Sequence, residues 1–258
     1  MPLRPLLAIF AVAFCLLGAA LAQGELSQSG NVRISFSGDF RPSALPRDRP
    51  AAISVHVEGA IGTTDGSHPP PVRKVEIALN RNGKLTTVGL PTCTSAQLQS
   101  TSTETALQRC GSSLVGRGSF GADVEFPGAP FPATGRMLAF YGVRQGKPAL
   151  LLHLYGTVPV RTTFVLPLRI SRPGKGKFGT VLSARIPTLA GGFGSVTEVD
   201  LRIGRTYTYR GKRHSFVSAA CAAPSGFTIA VFPLVRGSFF FADGRRIDTT
   251  LTRNCRVR

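Results

Sequence analysis

Among the residues able to do chemistry, the cysteines constrain the chain most. There are five. Cys15 lies in an apolar leader, and the others fall into two close groups, Cys93 with Cys110 and Cys221 with Cys255. Neither group has CxxC spacing or a histidine close by, so a redox motif or zinc site is disfavoured against structural disulfides. Four cysteines allow three connectivities. The bonds 93–110 and 221–255 close the shortest loops and are the expected pairing.

Other candidate chemistry is thin. His56 and Glu58 share the polar face of one strand and could begin a metal site, but no third ligand is apparent. His153 sits in Ala149–Tyr155, apolar on both faces, and is the first choice if a catalytic base exists. His68 lies in a Pro-rich loop and His214 beside a basic hairpin. Asp123 with Glu125, and Glu198 with Asp200, alternate onto common strand faces, as solvated pairs usually do. The stretch Gly116-Arg117-Gly118-Ser119-Phe120-Gly121 spells GxGxxG, yet continues as strand where a dinucleotide site needs a helix. Gly174–Thr180 lacks the Gly-Lys-Ser/Thr ending of a phosphate loop. Neither GxSxG nor HExxH occurs. Tyr207 and Tyr209 stand among Arg205, Arg210, Lys212 and Arg213, the best aromatic-basic cluster. There is no Trp, which argues against a lectin-type sugar platform.

The elements that would position these residues are strands. Val32–Phe36, Ile53–Glu58 and Val75–Leu79 alternate apolar with polar. Similar runs follow at Met137–Val143, Ala149–Tyr155, Thr162–Ile170, Thr180–Ile186, Val196–Ile203, His214–Ala220, Phe227–Val231, Ser238–Phe241 and Ile247–Thr252. Gly-bearing turns connect them, at Asn80–Gly83, Arg144–Lys147, Arg210–Arg213 and Asp243-Gly244. Segment 60–71 reads as a long loop. Helical pattern is confined to 93–111, where Thr94…Gln97 and Thr101…Glu104 each fit a capping box. Gly111 suits a C-cap. One continuous helix would hold Cys93 and Cys110 about 24 Å apart, so a turn near Ser100 is expected. The fold class expected is all-β, an antiparallel β-sandwich of jelly-roll or Ig-like type with a small disulfide-closed helical hairpin.

Residues 1–22 read as an export signal: Arg4, an apolar run from Leu6 to Leu17, and Ala20-Leu21-Ala22 before Gln23. That run is too short to span a bilayer. Residues 23–258 are expected to form one domain, two smaller β domains being the alternative. Net charge is +18, and it is uneven. Residues 161–258 hold 17 Lys and Arg against 4 Asp and Glu. A surface of that sign attracts polyanions such as cell-wall polymers, acidic polysaccharide or lipid headgroups.

Leu90-Pro91-Thr92-Cys93, Leu114–Phe120, Phe131–Arg136 and Phe241–Arg245 resemble signatures of a family of uncharacterised secreted actinobacterial proteins. The resemblance spans most of the mature chain. It implies bacterial export and the four-cysteine framework, and it implies no catalytic residue.

The expected protein is therefore secreted and non-enzymatic, and binds an anionic cell-envelope polymer or polysaccharide. The contacts expected are Arg169, Arg172, Lys175, Lys177, Arg205, Arg210, Lys212 and Arg213. No cofactor, metal or nucleic-acid partner is expected. The competing expectation is a polysaccharide-active enzyme using His153 or a carboxylate pair in a cleft. A third is a subunit of a surface assembly, which an exposed apolar patch would mark.

Overall fold

The computed structural model describes residues 25–126, 129–158, 161–187 and 194–258; the expected leader, 1–22, lies outside them. In chain order the elements are β1 (Glu25–Ser29), β2 (Val32–Arg41), β3 (Ala44–Leu45), β4 (Ala51–Ala52), β5 (Ser54–Thr63), β6 (Val72–Asn80) and β7 (Gly83–Leu85). The helices α1 (Ser95–Leu98) and α2 (Thr103–Cys110) follow. Next come β8 (Leu114–Phe126), β9 (Ala129–Arg144), β10 (Lys147–Gly156), β11 (Thr162–Ser171), β12 (Phe178–Arg185) and β13 (Gly194–Ile203). The chain finishes with β14 (Thr206–Tyr209), β15 (Lys212–Ser215), β16 (Val217–Ala219), β17 (Ile229–Phe241) and β18 (Arg246–Val257).

The strands are antiparallel, as expected, apart from the parallel pairing of β3 with β18. They do not form two stacked sheets. Thirteen of them make one sheet in the order β1-β2-β5-β13-β8-β9-β10-β11-β12-β6-β17-β18-β3, strongly curled into a half-barrel. A sandwich and a curled sheet ask the same of each strand, apolar residues inward and polar outward. Period-two alternation therefore cannot separate the two architectures. Curling needs strands that approach closely, and Gly118 in β8 permits it, since a Cβ there would lie 1.9 Å from the Asp200 carbonyl oxygen in β13.

The curl brings the first strands round to β17 and β18. Phe36 meets Phe239 edge-on at 6.4 Å between centroids, and Phe40 meets Phe232 at 5.9 Å. Arg253 donates to the Gly38 carbonyl (2.7 Å), while Arg245 donates to the Ser29 carbonyl (3.1 Å) and Asn31 Oδ1 (2.9 Å). One end of the curl is covered by a small sheet, β4-β16-β7, which sets Leu85, Phe216 and Val217 beneath the interior. We call this the capped end. The turns β1–β2, β5–β6 and β17–β18 lie at the opposite end.

Turn chemistry is largely as expected. Gln145 and Gly146 join β9 to β10 with φ of 51° and 72°, and Arg210 and Gly211 join β14 to β15 with 49° and 72°, the double positive φ of a type I′ hairpin. The Asn80–Gly83 turn differs. It forms, with Asn80 Oδ1 accepting from the Asn82 amide, but β7 then pairs with β16 and not with β6. Ile229–Val231 of the expected run Phe227–Val231 and the run Ser238–Phe241 belong to one long strand, β17, whose register with β18 shifts between Pro233 and Val235; Phe227 and Thr228 precede it.

Two short helices reverse at Ser100, where φ is 57°. Thr94 and Gln97 form the capping box of α1. The cap of α2 is Ser102 and not Thr101, because the Thr101 hydroxyl donates to the Leu98 carbonyl instead. Gly111 is the C-cap of α2, in right-handed conformation. The pair packs on the outer face of β9 and β10, where Leu98 and Ala106 meet Leu138, Phe140 and Leu151. Gly142 allows this, since a Cβ there would sit 2.4 Å from the Cys93 carbonyl. Cys93 bonds Cys110 and Cys221 bonds Cys255, each pair with Cα atoms 5.7 Å apart.

Candidate functional site

The inner face of the curled sheet carries Ile34 and Phe36 from β2, Val55 and Val57 from β5, Val75, Ile77 and Leu79 from β6, Leu150, Leu152 and Leu154 from β10, and Val199, Leu201 and Ile203 from β13. These side chains line a cavity of about 230 Å³. Several that should be sealed in a filled core, among them Val57, Ile77, Leu79 and Val199, are only half-buried. The interior is therefore hollow. An unfilled apolar volume forgoes about 24 cal/mol per Å³, here about 5 kcal/mol, against a whole-domain stability of about 5–15 kcal/mol. A void of about 150 Å³ already admits a benzene ring. The described polar or charged lining residues, Arg73, Thr197 and Glu198, lie towards the end opposite the cap.

The convex face holds a second cluster. His56 Nε2 lies 3.1 Å from Asp200 Oδ1 and 3.5 Å from Glu58 Oε1, and Ser37 donates to Glu58 Oε2 at 2.9 Å. Asp200 is the third group that the sequence did not provide, because it comes from β13, directly opposite Glu58. The three ligand atoms lie within 4.8 Å of one another and could hold a divalent cation at the margin of a shallow polar groove that includes Ser35, Ser119 and Thr134. Both carboxylates are about half exposed, as in a solvated hydrogen-bonded triad, and only the cluster itself points to an ion.

His153 is fully buried beneath the helices, on the face of β10 opposite the cavity. Its Nε2 donates to the Thr101 carbonyl at 3.0 Å and lies 3.1 Å from the Thr101 hydroxyl. Burial holds its pKa below the ordinary histidine value, so the ring is neutral. It reaches no cleft and ties the helical hairpin to the sheet. His214 stacks on Tyr207 at 5.5 Å. The Tyr207 hydroxyl donates to the Val88 carbonyl, and burial raises its pKa. Asp123 faces Pro132 across the sheet, while Glu198 lies across from Gly121.

The eight basic residues expected to bind a polyanion do not act alike. Arg205 donates to the Ser112 and Leu114 carbonyls at 2.6 and 2.8 Å, and Arg172 donates to the Leu85 carbonyl, so both brace the fold. Arg169 is exposed on β11. Lys175 and Lys177 are exposed in the β11–β12 turn, and Arg210, Lys212 and Arg213 in the β14–β15 hairpin.

The strand directions bring these turns to the capped end together with two others, Arg81-Asn82-Gly83-Lys84 and Arg144-Gln145-Gly146-Lys147. The turn signal and the charge signal thus coincide in a recurring Arg-x-Gly-Lys pattern. The third instance is Arg172-Pro173-Gly174-Lys175, and Arg210-Gly211-Lys212-Arg213 is a near variant. The concentration of charge in residues 161–258 hides this grouping, since Arg81, Lys84, Arg144 and Lys147 come from the less basic part of the chain before it. No acidic residue occurs between Glu125 and Glu198, or between Asp200 and Asp243.

Compared with known proteins, the chain matches no family model, no curated protein and no solved structure.

Proposed function

We propose that this protein binds a long apolar or amphiphilic molecule, of the single acyl-chain type, inside its curled sheet. The observation that carries this reading is the hollow interior: about 230 Å³ of apolar space at a cost in stability of about 5 kcal/mol. Polar residues at the uncapped end, Arg73 and Thr197 among them, suit a ligand with a polar head. Two disulfides favour action outside the reducing cytosol, in keeping with the expected leader. The resemblance to secreted actinobacterial proteins agrees with that compartment and adds no ligand. An enzymatic reading has less behind it, because His153 offers no base to a substrate.

Gly59 is the lever for a test. It faces inward between Val57 and Ile61, and a Cβ there meets only ordinary contacts at 3.9 Å. Gly59→Leu should fill the void. The protein, delipidated on a hydrophobic resin, is titrated with a fluorescent single-chain fatty acid. Saturable binding is expected in the parent and a loss of about tenfold or more in Gly59→Leu, with a thermal midpoint equal or higher. Equal binding by both proteins, or none by the parent, would refute the reading.

A further inference from the structure

We propose that the capped end is a docking surface for an anionic lipid bilayer. Two features coincide there. The first is the set of cationic turns, whose lysines Lys84, Lys147, Lys175 and Lys212 are exposed. The second is a strip of large apolar side chains on the first part of β17 and the residues before it. Phe227, Ile229 and Val231 are 64, 54 and 71% exposed.

The strip arises from a mismatch in strand length. β17 pairs with β6 only from Val235 onward, so Ile229–Pro233 has β18 as its one ladder partner among the described residues. This ribbon projects past the end of β6. Ala230 and Phe232 turn inward to the core, which leaves Ile229 and Val231 facing out. The strip is continuous with the cations. Asn80, beside the Arg81–Lys84 turn, donates to the Pro233 carbonyl at 2.8 Å. Arg236 lies over the Phe178 ring at 4.8 Å, next to the turn that carries Lys175 and Lys177.

The combination selects the partner. A soluble anionic polymer would reward the cations and leave three large apolar side chains in water. A second copy of this chain would cover the strip, but each copy carries a net charge of +18 and the cations would face one another. An anionic bilayer satisfies both features, because its headgroups attract Lys and Arg while its interface accepts Phe, Ile and Val. Stable peripheral attachment generally takes two such signals. The inference does not depend on the cavity. Docking at this end leaves the uncapped end directed away from the membrane.

The test is co-sedimentation of the full protein with vesicles of phosphatidylcholine alone and of phosphatidylcholine with phosphatidylglycerol. Binding to the anionic vesicles only is expected. The combined variant Lys84→Gln, Lys147→Gln, Lys175→Gln, Lys212→Gln should weaken it about tenfold or more. Ile229→Thr with Val231→Thr keeps β propensity and should weaken it by a similar factor, leaving residual binding that salt abolishes. A control with as many charges removed elsewhere on the convex face, Arg33→Gln, Arg117→Gln, Arg136→Gln, Arg202→Gln, should retain most of the affinity, and melting curves confirm folding. Threonine variants that bind undiminished, with polyphosphate competing fully, would overturn the proposal in favour of a polymer. A dimer of the parent dissolved by the same variants would assign the strip to self-association. Gly59→Leu should bind vesicles normally, so failure of the cavity reading and failure of the docking proposal remain distinguishable.

Discussion

At the scale of single residues, His153 has the clearest consequence. Burial favours its neutral form in the folded protein, whereas the unfolded chain takes up a proton near the ordinary histidine value of about 6.5. Below that pH the unfolded state binds more protons than the native one, so stability falls as pH falls through the window. Above it the histidine contributes no pH dependence. His153→Leu should therefore flatten this part of the stability profile, measured by urea unfolding between pH 7 and pH 5. Its cost at pH 7 should stay within about 1 kcal/mol, because the Thr101 carbonyl keeps the Thr163 hydroxyl as donor at 2.7 Å. An unchanged slope in the variant would show that other groups set the acid sensitivity. The doubly apolar setting of His153 was legible in its sequence, and so were two of the three members of the His56 cluster, His56 and Glu58. Asp200 was not, since only the pairing of β5 with β13 brings it across from Glu58, and strand pairing leaves no local signal.

At the scale of elements, the helical hairpin was the most legible part of the chain. The capping box at Thr94, the reversal near Ser100 and the short-loop disulfide all follow from residue types and helix geometry. The second cap shifted by one residue because the nearby Leu98 carbonyl and a tertiary partner, His153, claim the Thr101 hydroxyl. β7 shows the same limit: the Asn-Gly turn is local, whereas the choice between β6 and β16 as neighbour is decided by the cap over the interior. The hairpin covers Leu138, Phe140 and Leu151, so its closure matters beyond its own length. Replacing Cys93 and Cys110 together with Ala should cost about 3 kcal/mol by loop-closure entropy. Faster hydrogen exchange is expected within 93–113 and in the β9 and β10 amides beneath it. Faster exchange spread evenly over the chain, β17 and β18 included, would mean that the bond supports the whole fold and not this element.

For the whole molecule, the deciding property is that one sheet curls on itself without a closing ladder among the described residues. Alternation in the strands requires a buried face and is silent on whether that face meets a second sheet or its own far edge. The hollow interior was therefore invisible to periodicity, and so was the collection of cationic turns at one end. Where the curl meets itself, side chains do the joining. Arg245 reaches back from the β17–β18 turn to Ser29 and Asn31 at the uncapped end, held by Asp243, and Arg253 reaches Gly38 nearer the cap. A charged donor on a carbonyl contributes about 1.5–3 kcal/mol, less for the partly exposed Arg245. Arg245→Met keeps the stem and removes the donors, so about 1 kcal/mol should be lost. The change should be directional: amides of β1 and the start of β2 exchange faster, while β8 to β11 keep their protection. If the apolar interior is filled through the uncapped end, the same variant should release the fluorescent fatty acid faster than the parent, with little change in its association rate. The Phe36–Phe239 contact deeper in the seam remains to hold the walls together. Unaltered exchange in β1 and β2 would mean that this ring contact suffices to hold the curl, with Arg245 only decorating its edge.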